Sequence, residues 1–480
     1  MKKLFTLFLS GVLAVGASAE LYSQDFETGY FLGGNSFAFR MNPAFQAERG
    51  IFSIGLGQPG IGTWSNLGLS TFLYPSDNSV YTFMNDRVST SEFLGKIRPN
   101  NSLNLDVNMP LLTLGFWSNE TFVTLDFTLR SINTVAAPYD FFRFLKEGTE
   151  KVNTFNFSGM GLSSNTFGEA AFGWSRNFGE FNIGFRLKGM IGLLELEERM
   201  NDLKMTMNQE KWEVTGKGDL YASSPALRFS HNDNGEISLD SFDLNREKIA
   251  PAGYGGALDL GFTWNVIRDL TVSAAVLDLG AIYWIRNFVA HTAESGYSWT
   301  PSDKPIDPTG SDVQRELDRM GNALSGLFRF KDAGAGSAVK MLPWRMNIGA
   351  EYRMPFYDRL SVGALYTGRM GDIFSRHTGR FSVNWNPADF FSLSTSTALS
   401  NISESIGFAM NLHPGGINLM VGCDYIPFRV VNVSPLFKNM PEKYKKVSVV
   451  PANHMKMNLF VALHIAVGER RLDHTRRIDW

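Results

Sequence analysis

The sequence predicts an all-β fold, a transmembrane antiparallel up-and-down β-barrel of about fourteen strands. Three observations point there. Met455, Met457, Leu459, Val461, Leu463, Ile465 and Val467 hold every second position of one stretch, so a strand running to Gly468 has an unbroken apolar face. Paired strand-like segments are joined alternately by short turns and by long connections, the asymmetry of a barrel with short periplasmic turns and long extracellular loops. The chain begins with a secretory signature. The closing strand exceeds the ~5 to 6 residues usual in globular sheets and fits the ~9 to 11 that cross a bilayer at a tilt. Its other register, Lys456, Asn458, Phe460, Ala462, His464 and Ala466, is mixed, so a new charge at Asn458 should be tolerated where one at Val461 or Leu463 is not.

Composition narrows the function classes. Charged residues make up 19% of the 480, below the usual ~25%, and aromatics 13%, with 39 Phe. The formal net charge of −2 gives no reason to expect a nucleic-acid partner. The single cysteine, Cys423, excludes an internal disulfide framework, and the seven His show no metal-ligand spacing. The common hydrolase and nucleotide signatures are missing, so no enzyme activity, cofactor or metal is expected. Ser230–Ser241 comes nearest to a metal loop, with Asn232, Asn234 and Gly235 in an EF-hand-like register. Ser stands at its first and last ligand positions, so it reads as a polar turn.

Met1-Lys2-Lys3, the apolar run Leu4–Val15 and Ala17-Ser18-Ala19 form the three parts of a signal peptide over 1–19, and hence predict export to the outer membrane of a Gram-negative cell. An N-terminal segment, 20–50, follows. The barrel is assigned to 51–468, with an upward first strand within Ile51–Leu73, and a periplasmic tail to 469–480. Leu103, Leu105, Val107 and Met109 alternate with polar residues, slip phase near Pro110 and resume with Leu112, Leu114 and Phe116. Short turns fall at Ser118-Asn119-Glu120, Phe178-Gly179-Glu180, Ile267-Arg268-Asp269, Pro355–Asp358, Asn386–Asp389 and His413–Gly416. Long connections are expected over Thr134–Phe167, Glu198–Ala252, Arg286–Leu342 and Pro427–His454, and shorter ones over Met370–His377 and Ser400–Glu404. Parity gives fourteen strands. A further hairpin around Lys211–Thr215 and Ala226–Phe229 widens the range to about twelve to sixteen.

Phe116, Trp117, Phe122, Phe178, Phe181, Phe356, Tyr357, Trp385, Phe390 and Phe391 gather at the short turns and read as one interfacial girdle. Inside the longest loop Ser311–Phe328 has a capping box and an apolar helical face. The polar strand faces supply Asp106, Asp126, Arg130, Arg186, Lys188, Arg345, Glu351 and Arg353 as lumen candidates of both signs, which argues against a strongly ion-selective pore.

Between Gly33 and Phe45 the sequence reads GGNSFAFRMNPAF. A Gly-rich stretch leading into Asn42-Pro43-Ala44 near the mature N-terminus resembles the plug segment of the FadL-like long-chain fatty acid transporter family. It is similar, closer still, to related Bacteroidota outer-membrane barrels of unknown function. The resemblance implies a plug built on Gly33, Gly34, Asn42, Pro43 and Ala44. An ordinary turn, in which Asn42 caps and Pro43 sets φ, is the other reading of these residues. Two functions follow from the resemblance: a transporter or channel for small hydrophobic molecules, or a docking or shuttle component of a secretion or surface-attachment system. The partners implied are outer-membrane lipid, a small hydrophobic ligand and a secretion-system protein.

Overall fold

The computed structural model describes residues 26–471, apart from 77–78, 148–152, 208–211, 232, 234, 246–247, 293–296, 300–328, 372–373, 403, 427–429, 433–448 and 452–453. The signal-peptide reading of 1–19, the helix expected over Ser311–Phe328 and most of the 469–480 tail lie outside the described residues. No described helix is long and apolar enough to cross a membrane.

Among the described residues, alternation builds a closed ring of fourteen wall strands. In order they are β1 (Gly50–Ile54 continuing as Gly60–Gly68), β2 (Asn100–Ser118), β3 (Thr121–Pro138), β4 (Gly161–Phe178), β5 (Phe181–Met207), β6 (Gly253–Ile267) and β7 (Leu270–Thr292). Then come β8 (Arg329–Met341 continuing as Trp344–Arg353), β9 (Leu360–Met370), β10 (Arg376–Ala388), β11 (Phe391–Ser400), β12 (Ser405–Leu412), β13 (Ile417–Cys423) and β14 (His454–Asn458 continuing as Phe460–Val467). Each pairs antiparallel with its neighbours in sequence, and β14 returns to β1 through Gly50↔Val467 and Gly62↔Asn458, so no edge is left open.

Several wall strands are interrupted in ways that the sequence explains. β8 breaks at Leu342-Pro343, where proline cannot donate to the ladder. The phase slip expected near Pro110 is a register shift between Pro110 and Leu112. The tight turns lie at one end of the ring, with Asn119 and Gly179 at positive φ (53° and 77°), as two-residue hairpins require. The strand ends that lead into the long connections are all at the other end.

The connection expected from Glu198 onward begins later than predicted, because β5 continues as strand to Met207 and Trp212–Ser223 folds back along it. The extra hairpin therefore extends the wall at the loop end instead of adding strands to the ring. Leu227–His231 pairs with Glu236–Leu244 as a β-hairpin, with Gly235 at φ 72° between them, in keeping with a polar turn; Asn232 and Asn234 lie outside the described residues.

The faces sort as alternation requires. Leu459, Leu463, Ile465 and Val467 are exposed on the outside, while Asn458, Phe460, Ala462 and His464 are buried inside. Met109, Leu111, Phe127, Phe172, Leu187, Ile348, Phe381 and Leu399 continue the apolar outer belt. A closed barrel with such a belt satisfies its backbone and presents hydrocarbon to hydrocarbon, the architecture of a transmembrane β-protein. Phe116, Phe178, Phe356 and Trp385 crown the belt at the turn end. Two aromatics expected in that girdle face inward instead. Phe122 is 1% exposed and meets Phe39 edge-on, and Trp117 donates to the Ala47 carbonyl at 3.0 Å.

At the loop end, Phe83, Phe93, Phe142, Phe144, Phe155 and Phe157 pack with Leu196, Met200, Leu203, Met205 and Leu220 in a second core. The helix Tyr139–Glu147 supplies its centre. Among the described residues, the buried members of this core run from Leu67 to Phe330.

Candidate functional site: the barrel lumen

Residues 26–49 lie inside the ring, from the loop-side ends of β10 and β13 at Glu27 down to the turn end, as a succession of tight turns, including two 3-10 turns at Glu27–Gly29 and Ala38–Arg40. No ladder ties this segment to the wall; side chains do. Asn35 donates to Gly29 O at 2.7 Å and accepts from Phe37 N at 3.1 Å, folding the first half. Asn42, fully buried, accepts from Ala44 N at 3.0 Å and donates to Phe262 O on β6 at 3.3 Å. It thus does two jobs at once, as a turn-former and as an anchor. Pro43 follows it against the wall. There β5 and β6 each present a glycine: a Cβ at Gly184 would collide with the Pro43 carbonyl, and one at Gly261 with Asn42 Oδ1. Gly33 O accepts from Asn411 at 3.2 Å, and Gly34, at φ 69°, accepts from Asn418 at 3.0 Å. Ala44 is fully buried. The five residues singled out in the sequence are therefore all inside the ring and touch β5, β6, β12 and β13.

Charged anchors hold the two halves of the segment. Glu27 pairs with Arg376 and Arg380 on β10, both at 3.0 Å, while Asp424 accepts the Glu27 and Thr28 backbone N–H groups at 3.1 and 2.6 Å. Asn458 donates to Asp424 at 3.0 Å and accepts from its backbone N–H at 2.7 Å. Asn458 is thus committed to this anchor, and the expected tolerance of a charge there is withdrawn. Arg40 reaches Asp126 on β3 at 2.8 Å and Thr113 on β2 at 2.7 Å.

Beyond the segment the lumen holds a continuous ionic network. Asp126 pairs with Arg186 at 2.9 Å; Lys188 pairs with Asp259 at 2.7 Å and Asp278 at 2.6 Å; Arg130 pairs with Asp278 at 2.9 Å and Glu169 at 2.7 Å; Arg345 closes on Asp278 at 2.9 Å. Asp278 is the hub, accepting from three cations. It sits at φ 61° beside a register shift between Leu258 and Leu260, which turns Leu277 and Asp278 both inward. Such buried ions hold only because each has opposite charge and hydrogen bonds around it.

Of the lumen candidates read from the sequence, Asp106, Asp126, Arg130, Arg186, Lys188 and Arg345 are buried inside. Asp106 pairs with Arg369. Glu351, half-buried, accepts from Ser361 at 2.6 Å, and Arg353 is half-buried at the turn end. Sequence reasoning missed Glu27, Arg40, Glu169, Asp259, Asp278, Arg369, Arg376, Arg380 and Asp424. Arg376, Thr378, Arg380, Ser382 and Asn384 form a polar period-two run that could have shown β10's share. Among the described residues no group of side chains is arranged to hold a metal.

No protein of curated function matches the chain in sequence. Solved structures match in outline. The toluene transporter TbuX of Ralstonia pickettii is 8% identical, with TM-score 0.40, 95% of this chain covered and 97% of that one. A Pseudomonas aeruginosa FadL homologue is 10% identical, with TM-score 0.35 and 94% and 95% covered. A deltaS2S3 mutant of the monoaromatic hydrocarbon channel TodX is 10% identical, with TM-score 0.43 and 93% and 99% covered. A family model matches residues 43–424, from the Pro43 turn to the Asp424 anchor, and the chain belongs to that family, the Family of unknown function (DUF5723).

Proposed function

We propose that this chain is an outer-membrane barrel, exported by its N-terminal 1–19 signal, that passes small hydrophobic molecules and is closed at rest by residues 26–49 acting as a plug. On this reading it is a divergent FadL-like barrel of the Bacteroidota kind, and Gly33, Gly34, Asn42, Pro43 and Ala44 are plug residues. The lumen candidates Asp106, Asp126, Arg130, Arg186, Lys188, Arg345, Glu351 and Arg353 line or fix the route.

One observation carries it: the turn end of the ring is filled by a segment that is not a strand of the wall. A barrel that needed only a packed interior could fill it with larger side chains from its strands. Here the wall keeps glycines at Gly184 and Gly261 and gives the space to a separate piece of chain. The charges beside it are paired, so the resting lumen offers little to a free ion, in keeping with apolar cargo.

The test is entry of the apolar dye N-phenylnaphthylamine into intact Gram-negative cells that express the chain. The parent should give saturable entry above the empty-vector level. Entry no faster than that level, from a barrel shown to be assembled by its heat-modifiable gel mobility, would overturn transport and favour a docking role.

A further inference from the structure

On the loop side of the ionic network, on the inner face of strands whose other face carries the loop-end core, lies an open cleft. It contains a buried carboxylate that receives no hydrogen bond. A register shift between Thr166 and Phe167 on β4, opposite Gly192–Leu194, changes the parity of β5, so Glu195 and Glu197 line the cleft after Lys188 and Met190 have faced inward. Glu197 is held by Lys340 at 2.7 Å, whose ammonium lies 4.2 Å from the Tyr221 ring centre. Arg369, also on the cleft, is paired with Asp106. Glu195 is only 1% exposed, and neither of its oxygens has a hydrogen-bond partner. On the same cleft the Trp64 indole N–H, in a ring 5% exposed, also lacks an acceptor.

Native interiors rarely bury a carboxylate without a hydrogen-bond donor. Lys340 is bonded to Glu197 and reaches Glu195 only through space, so two carboxylates share one ammonium and the Trp64 donor is unused. Its apolar lining comes from Trp64, Ile132, Met341 and Phe374. The missing group must bring a single positive charge with N–H donors, and an apolar body to lie on those side chains.

We propose that this cleft binds the ammonium group of a small organic amine, with Glu195 as its counter-ion and the Trp64–Phe374 wall receiving the body. The assignment deepens the transport reading by naming a substrate class, amphipathic amines, and rests on that reading only in calling the occupant a substrate.

The experiment measures binding alone, so its failure is distinct from failure of transport. The detergent-purified barrel is titrated calorimetrically with phenethylamine hydrochloride and, separately, with 2-phenylethanol, the neutral analogue of similar shape. The amine should bind saturably and at least about tenfold more tightly than the alcohol, the size of one hydrogen bond to a charged group. Glu195→Gln should weaken the amine about tenfold or more and leave the alcohol unchanged. The amine-to-alcohol ratio in the parent needs no variant, so it decides even if Glu195→Gln does not assemble. Equal binding of amine and alcohol, no saturable amine binding, undiminished amine binding by an assembled Glu195→Gln, or displacement of the amine by equimolar sodium chloride would each overturn the proposal.

Discussion

The two ends of the barrel are held together in opposite ways. From the turn end up to the loop-side ends of β10 and β13, a segment foreign to the wall is held by directional bonds: Glu27 to two arginines, two backbone N–H groups to Asp424, Arg40 to Asp126, and Asn42 to Phe262 O. At the loop end, the wall's own strand extensions and a short amphipathic helix bury phenylalanines against methionines and leucines, with little direction to the contacts. Under the proposed transport role, the difference says which end would open. Directional anchors can be broken as a set while the ring stays paired, because no ladder bond belongs to them. Apolar packing contributed by the wall yields only as the strand ends that supply it come apart. Among the described residues the loop-end core draws its buried members from Leu67 to Phe330, whereas the segment 26–49 touches strands on both halves of the ring.

The comparison can be broken by attacking each end alone. Asp424→Ala removes the acceptor of two backbone N–H groups and the partner of Asn458, and takes a carboxylate away from Arg380. About 3 to 5 kcal/mol should be lost. The loss should fall on the segment: hydrogen exchange should speed up over residues 26–49 while heat-modifiable mobility persists. Phe142→Ala empties a fully buried ring position in the loop-end core and should cost about 3 to 5 kcal/mol, read as faster exchange over Tyr139–Glu147 with protection of residues 26–49 unchanged. Exchange that rises at both ends in either variant would mean that the two ends are one cooperative unit.

Leu463→Arg is the control that should spare neither end. It places a charge on the outer belt at about 2 to 4 kcal/mol near the bilayer midplane, and should lower the assembled fraction seen as heat-modifiable protein in outer membranes. Asn42→Ala is the smallest perturbation, about 1 to 3 kcal/mol from the unmet Ala44 N–H and Phe262 carbonyl. It should loosen the Pro43 turn without releasing the Glu27 anchor, which protease sensitivity confined to residues near 42 would report.

The wall was legible because alternation is a local property. The turns at Asn119 and Gly179, the apolar face of β14 and the even strand number all follow from periods of two and from unequal connections. What alternation hides is whatever breaks it. Asp278 follows the inward-facing Leu277, so a period-two reading sends it outside, and only a bulge with positive φ makes it the hub. Glu195 and Glu197 likewise face the lumen only after a register shift. Phe122 and Trp117 stand at a short turn like the girdle residues, and what directs them inward is the segment 26–49, contacts distant in sequence. The loop-end core was missed for another reason. Phe141, Phe142, Phe144, Phe155 and Phe157 lie in a stretch that reads as a connection, and their common burial depends on a helix only nine residues long.

The central claim is that residues 26–49 close an otherwise continuous barrel, and single-channel conductance in planar bilayers of a barrel lacking Gly33–Phe45 tests it most directly. No wall strand is removed, so the variant should assemble. It should conduct small ions steadily, where the parent and Phe142→Ala remain closed for most of the record. An assembled deletion variant whose conductance equals the parent's would contradict the account.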